Sequence, residues 1–128
     1  MTGKILKLLL AVTVIAVTAY FGNQYLKERR LTQIENEATE AFNEQKYRTA
    51  IERYENLLQM LPDKNSERGQ RVQHQLALCF KNLAEDPSLP TFRTIELYQK
   101  AAAYDRSVVP ELIVDRLLDQ GDIALPGQ

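Results

Sequence analysis

Cys79, His74 and a few paired acids are the side chains best able to do chemistry. A cysteine acts as a nucleophile when a base or cation stabilises its thiolate. Cys79 falls instead within an apolar helical stripe and reads as a small core hydrophobe. It is the only cysteine in the chain, so an internal disulfide and a thiol-built metal site are both excluded. His74, the only histidine, lies beside Val72 and Leu76 but off their stripe, which makes it a surface or groove residue. The pairs Glu85-Asp86 and Glu35 with Glu37 are ordinary solvated carboxylates, because general acid–base work requires burial or a charge partner to tune the pKa. No nucleophile motif, phosphate loop or zinc-ligand spacing is present. The expectation is a protein that is not an enzyme, with no catalytic residue, metal or cofactor.

What must position these residues is a mostly helical chain of 128 residues, room for one domain and an appendage. The formal net charge is -1 and the pI about 5.9, so nucleic acid is not an expected partner. Proline and glycine are few and cluster at apparent breaks.

The appendage is N-terminal. Leu8 to Phe21 is uncharged, and extending it from Ile5 to Leu26 reaches the about 20 helical residues that cross a bilayer. Lys7 can snorkel to the headgroups. Tyr20, Phe21 and Tyr25 would sit near an interface, with Lys27, Arg29 and Arg30 just beyond. A cleaved signal peptide competes, with Lys4 and Lys7 as its basic region and Val17-Thr18-Ala19 as its small residues. Apolar character continues past Ala19 and basic residues follow soon after, which favours a retained anchor over residues 1–26. Lysines and arginines flank the span almost evenly, so the positive-inside rule does not orient it.

Beyond Arg29 the apolar spacing predicts five helices. The first covers about Leu31 to Gln45 with Ile34, Ala38, Ala41 and Phe42, and nothing after Gly22 separates it from the anchor. The second covers Tyr47 to Leu61, with Ala50, Ile51, Tyr54, Leu57, Leu58 and Leu61 on one face and Pro62 as its stop. A polar loop offers Asn65 or Ser66 as N-cap to a third helix, Glu67 to Leu83, with Val72, Leu76, Cys79, Phe80 and Leu83. Thr91 is the expected cap of a fourth carrying Phe92, Ile95, Tyr98, Ala101 and Ala102. A fifth starts near Pro110, presents Leu112, Ile113, Val114, Leu117 and Leu118, and ends near Gly121. Residues 122–128 are a tail.

Helices two and four match at a separation of 44: Ile51 with Ile95, Glu52 with Glu96, Tyr54 with Tyr98, Leu57 with Ala101. Helices one and three match at 38: Ile34 with Val72, Ala38 with Leu76, Phe42 with Phe80. A repeated helix-turn-helix is the mark of a solenoid. Ala38, Phe42, Tyr47, Ala50, Tyr54 and Pro62 resemble the tetratricopeptide repeat. Gln45 stands where that family places its turn glycine, which implies a less tight turn. In the second unit Thr94 replaces the small alanine and Arg106 the proline, and the loop after Leu83 resembles those of Sel1-like relatives. The resemblance implies an all-α, right-handed solenoid of two helix pairs, about 31–62 and 66–107, capped by a helix over about 110–120, within a domain of 27–121. Two pairs fall short of the about three repeats such arrays want, so a partner or self-association into homo-oligomers would add stability.

The resemblance also implies a groove lined by the first helix of each pair. Glu35, Thr39 and Asn43 would come from the first unit; Arg71, His74, Leu78, Lys81 and Asn82 from the second. The same positions read equally well as solvated surface. The implied function is a membrane-anchored scaffold or assembly factor that binds protein partners. An organelle import receptor, similar to the small mitochondrial outer-membrane receptors, and a structural subunit of a membrane complex are the alternatives. The expected location is a bacterial inner membrane with the helical domain outside the cytoplasm, or for the receptor reading a mitochondrial outer membrane facing the cytosol.

Overall fold

The computed structural model describes residues 2–119. It is all helical, with no strand among the described residues: α1 (Thr2–Asn43), α2 (Tyr47–Met60), α3 (Glu67–Ala84), α4 (Thr91–Tyr104), a short 3-10 turn (Arg106–Val108) and α5 (Glu111–Asp119). The expected end of the last helix near Gly121, and the tail, lie outside the described residues. The chain divides into two compact units, Met1–Gln33 and Ile34–Gln128. Residues 2–33 of α1 belong to the first, and the last turns of α1 open the second.

In the first unit every large apolar side chain from Ile5 to Leu26 is exposed. Soluble monomers rarely expose so long an apolar surface, and such surfaces mark membrane or protein contacts. The segment is long and apolar enough to cross a membrane, and its apolar stretch is unburied. Its hydroxyls suit a lipid setting: Thr13 Oγ1 donates to the Leu9 carbonyl and Thr18 Oγ1 to that of Val14, each at 2.8 Å. Backbone back-bonding of this kind leaves no donor unpaired in hydrocarbon.

The second unit is built as neighbouring helices. Ala38, Ala41 and Ala50 are buried, and such small residues let the end of α1 approach α2 closely. The Phe42 and Tyr47 rings meet edge to face at 5.6 Å across the turn. Tyr54, 1% exposed, reaches back from α2 so that its hydroxyl lies 2.8 Å from Thr39 Oγ1. Pro62 is exposed and serves only to stop α2. α3 packs against α2 on one side and α4 on the other. Burial repeats with the sequence match: Ala38 and Leu76, Tyr54 and Tyr98, and Leu57 and Ala101 are all buried. Ile51 and Ile95 are half-buried. α5 sets Leu117, Ile113 and Val114 against a cluster of Phe80, Ala84, Tyr98 and Ala101. Leu112 stands a helical step off that face and is 68% exposed, a correction to its place in the apolar stripe. Phe92 is likewise solvent-facing.

Three connections differ from expectation. α1 ends at Asn43, and the turn to α2 is tight although Gln45 replaces glycine. Gln45 takes φ 63°, the left-handed conformation that glycine adopts without strain. Its N–H donates to the Phe42 carbonyl, and the Lys46 N–H to that of Ala41, each at 2.9 Å. This is the Schellman pairing of a helix C-terminus. The left-handed region costs a side chain about 1–2 kcal/mol, and glycine returns part of that through its larger unfolded entropy. Gln45→Gly is therefore expected to stabilise the fold by about 0.5–1 kcal/mol, read as a rise of a few degrees in the thermal midpoint; a fall would assign the Gln45 side chain a stabilising contact.

The second difference is at α4, whose cap is Pro90 (φ -62°, ψ 151°), with no side-chain cap bond. Thr91 is already helical, because the Pro90 carbonyl accepts from the Arg93 and Thr94 N–H groups at 3.0 and 3.1 Å. The third is the 3-10 turn after α4. Asp105 caps it by accepting from the Ser107 N–H and hydroxyl at 3.0 and 2.7 Å.

α3 starts as read. Ser66 Oγ accepts from the Gly69 N–H at 3.1 Å, and Gln73 ties the preceding loop down by donating to the Lys64 carbonyl at 2.8 Å. That loop runs so close that a Cβ on Gly69 would collide with the Lys64 carbonyl, so glycine is required there for space.

Candidate functional site

An open cleft of about 570 Å3 lies between α2, the end of α3, the following loop and α4. Each wall follows from helical spacing. Tyr47, Arg48 and Ile51 share a face of the first turns of α2. Arg93, Glu96, Leu97 and Lys100 recur at three- and four-residue intervals along α4. Between them stand Phe80, Asn82 and Leu83 from α3, and Asp86 and Leu89 from the loop. The floor is apolar: Phe80 is buried, while Tyr47, Ile51, Leu83, Leu89 and Leu97 are half-buried and so still offer surface to a ligand.

The rim is charged, and of its two acids Glu96 has cationic partners. Asp86 Oδ1 accepts from the Ser88 N–H at 3.0 Å and the Ser88 hydroxyl at 2.7 Å, which holds the exposed carboxyl below its usual range. Glu96 pairs with Arg93 at 3.0 Å and with Lys100 at 3.7 Å. Lys100 also hangs over the Phe80 ring, 5.8 Å from its centroid. Arg48 is exposed and has no ion-pair or hydrogen-bond partner among the described residues.

The residues read from the sequence as a groove do not gather in one place. Only Asn82 lines this cleft. Glu35, with a side chain 15% exposed, is held by Arg71 through two 2.8 Å hydrogen bonds, with Arg68 3.6 Å away. Thr39 is committed to Tyr54. His74 Nδ1 lies 2.7 Å from Asp105 Oδ2; an ionised carboxylate only accepts, so Nδ1 carries the proton. Lys81 sits 3.6 Å from Glu85 and faces a second hollow beside the 3-10 turn. Leu78 is half-buried, and Asn43 is exposed at the last turn of α1. Glu35, Thr39 and His74 therefore act as ties between helices. The cleft was legible only as a charge-and-leucine face on α4, because nothing local announces which helix stands opposite.

The Arg71 hydrogen bonds lower the Glu35 pKa against the opposing effect of burial, with further help from the charges of Arg71 and Arg68. A carboxyl with a lowered folded pKa adds stability above its unfolded value, and loses it as pH falls through the folded one. Wild type should exceed Glu35→Gln by about 1 kcal/mol at neutral pH, a modest value because Arg71 is half-exposed. Urea unfolding should show that gap closing as pH drops below the ordinary glutamate value of 4.5. A gap that persisted into strong acid would place the effect outside this ion pair.

Cys79 is fully buried, and burial pushes its thiol up to about 12. At neutral pH it holds almost no thiolate, the reactive form. The native chain is expected to resist a maleimide or disulfide reagent and to label fully in denaturant; rapid native labelling would contradict the packing of α3. Among the described residues no group of three or more His, Cys, Asp or Glu side chains could hold a metal ion.

No family model, curated protein or solved structure matches this chain.

Proposed function

We propose that the chain is a membrane-anchored scaffold or assembly factor whose tetratricopeptide-like helical domain binds other proteins and does no chemistry. The observation that carries this reading is the open cleft on α2, α3 and α4, whose apolar floor includes the half-buried Ile51, Leu83, Leu89 and Leu97. The burial that repeats between the two helix pairs, and α5 laid against the second, supports a short capped solenoid. Repeat arrays use such surfaces for binding. The apolar N-terminal helix supports membrane attachment.

A photo-reactive amino acid at Asn82, a cleft residue with no structural bond to lose, tests the reading in native membranes. A discrete adduct with another protein is expected. Recovery of only un-crosslinked chain would overturn it. In the location that goes with this reading, a bacterial inner membrane holds the anchor and the helical domain stands outside the cytoplasm. Protease added to intact spheroplasts should then digest residues 29–128, and protection would reverse the orientation. Retention of the anchor, rather than cleavage after Ala19, is read directly from the mass of the mature chain.

A further inference from the structure

The cleft carries more cationic than anionic character that a ligand can use. Three cations, Arg48, Arg93 and Lys100, stand on its rim against two acids. Asp86 is turned into its own loop by Ser88, and Glu96 is shared by Arg93 and Lys100. Glu96 is thus neutralised by its neighbours, Asp86 keeps its charge with Oδ1 bonded to Ser88, and Arg48 is unpaired, so the three cations leave the rim with an excess of one positive charge. Beneath them the floor offers Ile51, Leu83 and Leu97 as half-buried apolar surface. The cleft has no converging set of buried polar groups of the kind that fixes a small molecule. An apolar trough under a basic rim is the complement of an amphipathic segment with leucine-like side chains on one face and carboxylates beside them.

We propose that this cleft docks an acidic amphipathic helix of another protein, with its apolar face on Ile51, Leu83 and Leu97 and its carboxylates on Arg48, Arg93 and Lys100. The proposal rests on the reading above that the helical domain binds proteins, and adds the charge of the partner. It places recognition between the second helices of the two pairs. It also disfavours capture of a basic targeting helix, since cations outnumber acids three to two among the residues that line the cleft.

The test uses the full-length protein in nanodiscs of neutral phosphatidylcholine. Three labelled helical peptides share one Leu/Phe face and carry Glu, Gln or Lys on the other positions. Fluorescence anisotropy should show the Glu peptide binding about tenfold tighter than the Gln peptide, with the Lys peptide weakest. Added salt should erode that preference. Arg48→Glu should weaken the Glu peptide by about tenfold, and Arg48→Gln by less. Arg48 is solvent-exposed and unpaired, so neither variant should change the thermal midpoint, which serves as the folding control. Equal affinity for the Glu and Lys peptides, or an Arg48→Glu variant that binds the Glu peptide as wild type does, would overturn the proposal. So would failure of all three peptides to bind. Each of these results leaves the scaffold reading to be judged separately by the Asn82 adduct in native membranes, so the two can fail independently.

Discussion

Replacing Tyr54 by alanine is expected to destabilise the helical domain by about 3–5 kcal/mol, the usual cost of removing a buried aromatic side chain from a core. Tyr54 is 1% exposed and joins α2 to the end of α1. Its loss leaves a cavity the size of a phenol ring in a fully packed part of the core. Small domains are stable by only about 5–15 kcal/mol. In a unit of this size each kcal/mol moves the thermal midpoint by about 4–8 °C. A shift of more than about 12 °C is therefore expected from circular dichroism melts. Tyr54→Phe separates the ring from its hydroxyl. Burial holds the phenol above its usual range, partly offset by the bond with Thr39, so it stays neutral and the 2.8 Å contact is an uncharged hydrogen bond. Thr39 is exposed, and water can replace the lost partner. Tyr54→Phe should accordingly cost about 1 kcal/mol. If the two variants melted together, the hydroxyl and not the packed ring would be what holds this helix pair.

Tyr54 was legible in the sequence because its signal is local. Ala50, Ile51, Tyr54, Leu57 and Leu58 recur with helical period, and four of the five are buried, with Ile51 half-buried. The same periodicity located α3, α4 and the packing face of α5. Ser66 and Pro62 marked their boundaries because capping and helix stopping depend on the backbone within a few residues. Where local chemistry was ambiguous, the structure decided by strain and geometry. Gln45 accepts a left-handed φ because the carbonyls of Ala41 and Phe42 would otherwise go unpaired by the turn. Thr91 lost its cap role because Pro90 already holds the extended conformation that a cap requires.

The cleft and the ties were not legible in the same way. Glu35 and Arg71 are 36 residues apart, as are no positions that a helical wheel compares. Periodicity says that both are off the apolar stripe; it does not say that they face each other. A groove inferred from the first helices thus gathered residues that the folded chain uses as clamps: Glu35 with Arg71, Thr39 with Tyr54, His74 with Asp105. The bond from His74, helped by Ser107, holds the Asp105 carboxyl below its usual range. The cleft instead draws on the opposite helices, where Ile51 and Leu97 pack against the core on one side and stay half-buried in the cleft. A basic rim over unfinished apolar packing is a property of two helices together, and neither helix shows it alone.

Placing two arginines at the centre of the N-terminal segment is expected to abolish its membrane integration. Between Ile5 and Leu26, the side chains of Ile5, Leu6, Leu8, Leu9, Leu10, Val12, Val14, Ile15, Val17, Phe21 and Leu26 favour insertion by about 0.3–0.6 kcal/mol each, and roughly 3–7 kcal/mol together. One central arginine costs about 2.5–3.5 kcal/mol, which a segment of this strength can absorb. Val14→Arg with Ile15→Arg costs about 5–7 kcal/mol and also removes two favourable residues, so the balance reverses. Both positions lie far from Lys7 and Lys27, too deep for an easy reach to the headgroups. Both are more than half exposed, so the substitutions disturb no packing within the first unit, and arginine keeps the helix propensity that valine and isoleucine lack. The wild-type chain should therefore remain in the membrane pellet through alkaline carbonate extraction, and the double variant should move to the supernatant. A single Val14→Arg variant should remain largely in the pellet. If the double variant also stayed there, the helical domain and not the apolar helix would be what holds this protein to its membrane. If wild type were extracted, the segment would have to be either removed by cleavage or covered by protein, because its bare apolar surface has no place in water.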